Sequence, residues 1–138
     1  DINTEVLEIA KQGSFPMEQM KKHTSNYLRA GGRRSFSDYY RSADNRVIFH
    51  PDLARNIVFA RHNLVTDGSF NEFHVILCRN VLIYFNRDLQ DQVHELFHQS
   101  LSKFGVLGLG SKESIAFTAR KDSYEPISDE HRLYRKID

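Results

Sequence analysis

The sequence predicts an α/β layer fold, on three observations. Strand-sized apolar runs at Val75-Ile76-Leu77 and Val106-Leu107-Gly108-Leu109 bracket a long amphipathic segment. Two aromatic or β-branched runs flank Asp44-Asn45, and the tail from Tyr124 to Ile137 divides into two extended stretches about Asp129-Glu130. Strands alternating with helices and closing on a hairpin are the pattern of helices layered on a sheet.

The elements follow in order. Asn3 is a capping residue ahead of Val6, Leu7, Ile9 and Ala10 at helical spacing, and Gly13 stops this first helix. Met17, Met20, Thr24 and Tyr27-Leu28 predict a second helix, ended by Gly31-Gly32. The runs Phe36 to Tyr40 and Arg46 to Phe49 predict a small antiparallel hairpin that turns at Asp44-Asn45, residues tolerant of the left-handed conformation. Pro51 suits the first turn of a short helix, and Ile57-Val58-Phe59-Ala60 predicts a brief buried strand that ends at Asn63-Leu64. A second strand at Val75-Ile76-Leu77 meets Cys78-Arg79-Asn80. Asn86 then caps a helix from about Arg87 to Lys103, with Leu89, Val93, Leu96, Phe97, Leu101 and Phe104 on one face and Gly105 as its stop. Val106 to Leu109 is the next strand, and the tail hairpin completes the sheet.

With 138 residues, 40% of them hydrophobic, the chain is long enough for one domain with its own core. A formal net charge of +1 is not the strongly basic footprint of a general nucleic-acid binder. One cysteine, Cys78, allows no internal disulfide and no cysteine-based zinc cluster, which fits a reducing, cytoplasmic setting. The apolar runs Phe73 to Cys78 and Val81 to Phe85 fall far short of the ~20 residues of a membrane helix, so no direct membrane insertion is expected. The opening Asp1-Ile2-Asn3-Thr4-Glu5 lacks signal-peptide features and reads as a start inside a domain.

Ligands of open α/β sheets bind beyond the carboxyl ends of the strands, which directs attention to Asp1, Asn63-Leu64 and Cys78-Arg79-Asn80. An acid ending a strand can accept from both hydroxyls of a ribose, and Asp1 has that position if a strand precedes it; otherwise it complements the first helix's dipole. Asn63 offers an amide and Leu64 an apolar wall to a purine ring, or the pair is an ordinary loop. Arg79 emerges at the sheet edge to meet either a ligand or a structural carboxylate. Tyr84 reads from composition as a core aromatic within an apolar run.

The segments Asp1-Ile2-Asn3-Thr4-Glu5-Val6-Leu7, Asn63-Leu64, Cys78-Arg79-Asn80-Val81-Leu82-Ile83-Tyr84-Phe85 and Gly110-Ser111-Lys112-Glu113-Ser114 together resemble successive motifs of the CheR-type protein-glutamate methyltransferases. The resemblance spans essentially residues 1–138, and the eight-residue segment is its most specific part. It implies an N-terminally truncated Rossmann-like S-adenosylmethionine methyltransferase fold, with a small antiparallel insertion at about 33–50 and a terminal antiparallel hairpin. It also implies methyl transfer from S-adenosylmethionine to glutamates of a chemoreceptor or other signalling protein, leaving methyl esters and S-adenosylhomocysteine. Asp1 would then bind the cofactor's ribose, Asn63 and Leu64 its adenine side, and Cys78 and Arg79 would line its pocket. Arg79 and Tyr84 would face the transferred methyl, while Val81, Leu82, Ile83 and Phe85 pack the core.

The glycine-rich turn expected after the fold's first strand is not in this sequence, nor is the family's helical N-terminal domain. The expectation is therefore an incomplete cofactor site that binds weakly or not at all on its own, with an open sheet edge that invites strand-exchanged oligomers. The predicted hairpin lacks the glycine-bearing loop with which some relatives hold a receptor tail, although Gly31-Gly32 with Arg29, Arg33 and Arg34 lies nearby. A truncated, non-catalytic docking module is the alternative reading.

The remote one is zinc proteolysis, because His94-Glu95-Leu96-Phe97-His98 matches HExxH. The helical wheel sets both histidines on the flank of the apolar face and Glu95 towards solvent, and no glycine-then-histidine continuation follows His98. The reading preferred for them is two surface-flank histidines. Gly105, Gly108 and Gly110 form no GxGxxG pattern.

Overall fold

Asn3 begins the first helix as its position predicts. In the computed structural model, which describes residues 1–138, its side-chain oxygen accepts from the backbone N–H groups of Glu5 and Val6, and α1 runs Thr4–Lys11. The chain falls into two units, Asp1–His62 and Asn63–Asp138.

In the first unit, the predicted second helix begins as a 3-10 turn over Met17–Gln19 and continues as α2, Met20–Arg29. Two short strands that frame the turn, β2 (Tyr40–Ala43) and β3 (Arg46–Phe49), form the expected hairpin, and Asp44 takes the left-handed φ of 52°. Phe36–Tyr39 is a 3-10 turn instead of strand. Its rings pack on one another and on Tyr27, Tyr40 and Phe49, with Phe36 edge to face on Tyr40 and Phe49 and tilted against Tyr27 and Tyr39, so these aromatics fill a small core without joining the ladder. A third strand not expected from the sequence, β1 (Ser14–Pro16), pairs antiparallel with β3, giving the order β1-β3-β2. Pro51 opens a 3-10 turn as expected.

Ile57–Ala60 is not a strand. Val58 is 89% exposed, and the segment pairs in neither sheet. Its start is tied by the Ile57 N–H donating to the Ala54 carbonyl at 2.9 Å, and its end through Asp1. The Asp1 nitrogen donates to the Ala60 carbonyl at 3.3 Å and the His62 N–H donates to the Asp1 carbonyl at 3.1 Å, the slanted pair of bonds that a parallel ladder makes around Arg61.

The second unit carries the main sheet. β4 (Phe73–Cys78) lies parallel to β5 (Leu101–Leu109), joined through α3 (Arg87–Ser100). The tail hairpin, β6 (Tyr124–Ser128) and β7 (Leu133–Lys136), adds antiparallel through β7, in the order β4-β5-β7-β6. This mixed sheet, helix-connected and parallel on one side with an antiparallel hairpin on the other, is the arrangement expected of part of a Rossmann-like fold. Val93 and Phe97 of α3 pack with Leu101, Leu107, Leu109, Tyr124 and Tyr134 in one buried cluster.

The helix stops three residues before the predicted end. Leu101 is already extended and pairs with Phe73, so its burial belongs to the sheet even though its spacing continues the helical period. Gly105 is accordingly inside β5, next to a positive φ of 64° at Phe104, and is not a helix stop. The Lys136 ammonium donates to the carbonyls of His98 and Leu101, serving the carbonyl-rich end of α3.

Candidate functional site

The ladder between β4 and β5 ends with Cys78 opposite Leu109, so the segments that follow both strands, Arg79–Phe85 and Gly110–Ser114, start side by side beyond their carboxyl ends. Asn80 turns the chain with a left-handed φ of 59°, a conformation asparagine tolerates better than most residues. The next backbone donors have no strand to pair with. They converge on one carboxylate: Asn80 N–H donates to Glu113 Oε2 at 3.0 Å, and those of Val81 and Leu82 donate to Oε1 at 2.9 and 2.8 Å. Gly110 N–H adds a fourth bond, to Oε2 at 2.6 Å.

Glu113 is only 5% exposed. Burial pushes its carboxyl up, and the four amides together outweigh this and hold it below the ordinary carboxylate value. Gly110 is required here: a Cβ on it would stand 2.5 Å from Asn80 Oδ1 and 2.6 Å from Glu113 Oε2.

The far end of the segment is fixed from α3. Gln90 Nε2 donates to the carbonyls of Leu82 and Phe85, both at 3.0 Å, and Asn86 Oδ1 caps the helix through Leu89 N–H. Between these anchors lies a 3-10 turn, Leu82–Tyr84. Leu82 enters the core, with Val81 and Phe85 packed against it. Ile83, expected in the core, is exposed, because the 3-10 turn rotates it away from the sheet. Tyr84 is 80% exposed, so the composition-based reading of a core aromatic does not hold.

Arg79 is exposed, and no carboxylate of the chain pairs with it. Cys78 is buried in the core cluster, and burial together with Glu113 pushes its thiol up to about 11, so it is neutral near pH 7 and no nucleophile. Asn63 and Leu64 open the same unit. Asn63 Oδ1 accepts from Val65 N–H and its backbone N–H donates to Asp67 Oδ2, which leaves the amide NH2 as a donor. Leu64 is half-buried against the core cluster.

Asp1 belongs to the first unit. One carboxylate oxygen accepts from Asn3 N–H at 2.8 Å, and the exposed group keeps acceptor capacity for hydroxyl donors such as those of a ribose.

The structure disposes of the zinc motif. His94 is 3% exposed and belongs to the inner side of α3, because residues 93, 94 and 97 all face the sheet; it is not a surface-flank histidine. Glu95 is held by the Arg120 guanidinium through bonds of 2.6 and 2.8 Å and accepts from Gln99, so it is committed to an ion pair. No group of three histidine, cysteine, aspartate or glutamate side chains gathers in metal-binding geometry.

Sequence reasoning placed Glu113 within a motif without giving it a role. The available signal was Gly110 and Glu113 three residues apart, directly after a strand.

Comparisons with known proteins give the family. The family model described as "CheR methyltransferase, SAM binding domain" matches residues 1–132. The chain is 48% identical over 99% of its length to the Pseudomonas putida protein named "Putative methyltransferase Cher3", covering 50% of that protein. It is 35% identical over 83% of its length to the chemotaxis protein methyltransferase of Listeria innocua, covering 41% of it. The corresponding Escherichia coli protein is 31% identical over 88% of the chain, with 42% of its own length covered. The chain therefore spans about half the length, or less, of these curated relatives.

Proposed function

The chain belongs to the CheR methyltransferase family, and from that premise we propose that it is the later part of a domain that methylates glutamate side chains of chemoreceptors, forming glutamate methyl esters. The observation that carries this reading is the family match across residues 1–132. S-adenosylmethionine, the methyl donor of this family's domain, supplies an electrophilic methyl on a sulfonium sulfur.

The accepting glutamate has an ordinary pKa of about 4.3 and is ionised at neutral pH, so the reaction needs no general base. The task of the protein is orientation, and a near-attack geometry is worth roughly 7–11 kcal/mol. An exposed Arg79 guanidinium with no carboxylate partner in the chain suits a bidentate grip on the incoming carboxylate. Tyr84, exposed on the rigid turn five residues on, can donate its hydroxyl to the same carboxylate. Asp1 can accept the ribose hydroxyls, and the Asn63 amide can donate to an adenine ring nitrogen with Leu64 beside it. Cys78, buried in the core cluster at the end of β4, lines the cofactor pocket in this reading.

The test of these roles is steady-state kinetics of the full gene product on receptor membranes. Arg79→Ala is expected to lower kcat/KM for the receptor by about ten- to a hundredfold, the cost of a lost charged hydrogen bond, and Tyr84→Phe by about tenfold. Both variants should unfold at the wild-type temperature, since neither side chain is buried. Unchanged kcat/KM in Arg79→Ala would remove that residue from the site. Receptor binding without methyl transfer by the wild type would favour the docking-module reading.

A further inference from the structure

We propose that Glu113 is the positioning residue of this methyl-transfer site: its carboxylate sets the backbone of Asn80–Leu82, and through it the aim of Arg79 and Tyr84. The inference rests on the function proposed above and deepens it, because nothing in that reading requires a second acidic group.

The geometry argues for positioning over direct contact. A carboxylate offers about four acceptor sites, and four backbone N–H groups fill them at 2.6 to 3.0 Å. None remains for a substrate or a proton. The three turn amides belong to residues that no ladder or helix serves, for the first bond internal to the turn is Tyr84 N–H to the Val81 carbonyl. Glu113 thus supplies what secondary structure supplies elsewhere.

It also ties the end of β4 to the end of β5, since Gly110 and Asn80 share Oε2. The two exposed candidates, Arg79 and Tyr84, leave the backbone just before and two residues after the clamped amides. A small rotation of the clamp is therefore transmitted to both, and small misplacements in a near-attack geometry are costly.

The chemistry of the clamp separates this role from simple space filling. Glutamine has the same shape, but its NH2 would face N–H donors where a carboxylate oxygen now accepts, so two of the four amides would meet a donor. Aspartate keeps the charge and all acceptor sites but is one methylene shorter. A filler tolerates glutamine best, whereas a clamp tolerates aspartate better.

The experiment is steady-state methylation of receptor membranes by the full gene product, with S-adenosylhomocysteine binding and thermal unfolding recorded alongside. Phe97→Leu serves as a control that loosens the same core away from the turn. Glu113→Gln is expected to lower kcat/KM for the receptor at least about tenfold, with Glu113→Asp between it and the wild type. Phe97→Leu, at an equal or larger fall in unfolding temperature, is expected to keep kcat/KM within about twofold of wild type.

Glu113→Gln with wild-type kcat/KM, or Phe97→Leu losing kcat/KM in step with its stability, overturns the proposal. If Glu113→Gln does not fold, Glu113→Asp decides, and wild-type kcat/KM in that variant is the overturning result. A wild-type protein that binds no S-adenosylhomocysteine overturns the methyltransferase reading itself, and this inference with it.

Discussion

At the scale of single residues, two buried ionisable side chains give the protein a defined acid sensitivity. Burial holds the His94 imidazole below its ordinary 6.5, against the opposing pull of Asp91 and Glu113. The unfolded chain therefore takes up a proton where the folded one does not, so this contribution is complete above about pH 6.5 and is lost as the pH falls towards the folded value. His98 shifts the same way, through burial and the nearby Lys136 and Arg120, with Asp138 and Glu95 opposing. Glu113, with its carboxyl held below 4.5, adds a second loss at lower pH, complete above about 4.5 and disappearing as the pH falls through its folded value. Thermal unfolding from pH 8 to 4 should show a flat midpoint above pH 7, then a decline with onset near 6.5. His94→Gln should reduce the first part of that decline and leave the second. A midpoint that rises on acidification from 6.5 to 5 would contradict this assignment.

At the scale of elements, legibility followed the strength of local signals. Asn3 and Asn86 were readable as caps because a short polar side chain before a periodic apolar run has few other uses, and both accept the expected backbone bonds. Asn86→Ala is therefore expected to cost about 1 kcal/mol in denaturant unfolding, and no change in the midpoint would mean that Gln90 and Arg87 alone fix the start of α3. The tail hairpin and β4 were legible for similar reasons. What was not legible is where tertiary pairing overrides periodicity. Leu101 and Phe104 continue the helical spacing of α3 yet belong to β5, because parallel pairing with β4 begins at Leu101. Phe36–Tyr39 has strand composition and forms an aromatic core instead. Ile57–Ala60 has strand composition but pairs in neither sheet. Arg79 and Tyr84 could be singled out from the eight-residue motif, whereas the role of Glu113 depends on backbone donors some thirty residues away in sequence.

At the scale of the whole molecule, the family match and the mixed sheet agree on the fold, part of a Rossmann-like methyltransferase domain, and ligands of such sheets bind beyond the carboxyl ends of their strands. No helix is long and apolar enough to cross a membrane. The glutamate methylation proposed for the full gene product makes a specific chemical demand: the transferred methyl must become an ester, which base releases as methanol, and not a base-stable N-methyl group. The most direct measurement is incubation with S-adenosylmethionine labelled in its methyl group and chemoreceptor membranes, followed by mild base and collection of volatile label. The account predicts volatile label from the receptor band, reduced about ten- to a hundredfold in Arg79→Ala. Label that stays on the receptor after base treatment, or no label from a protein that binds the cofactor, would contradict it.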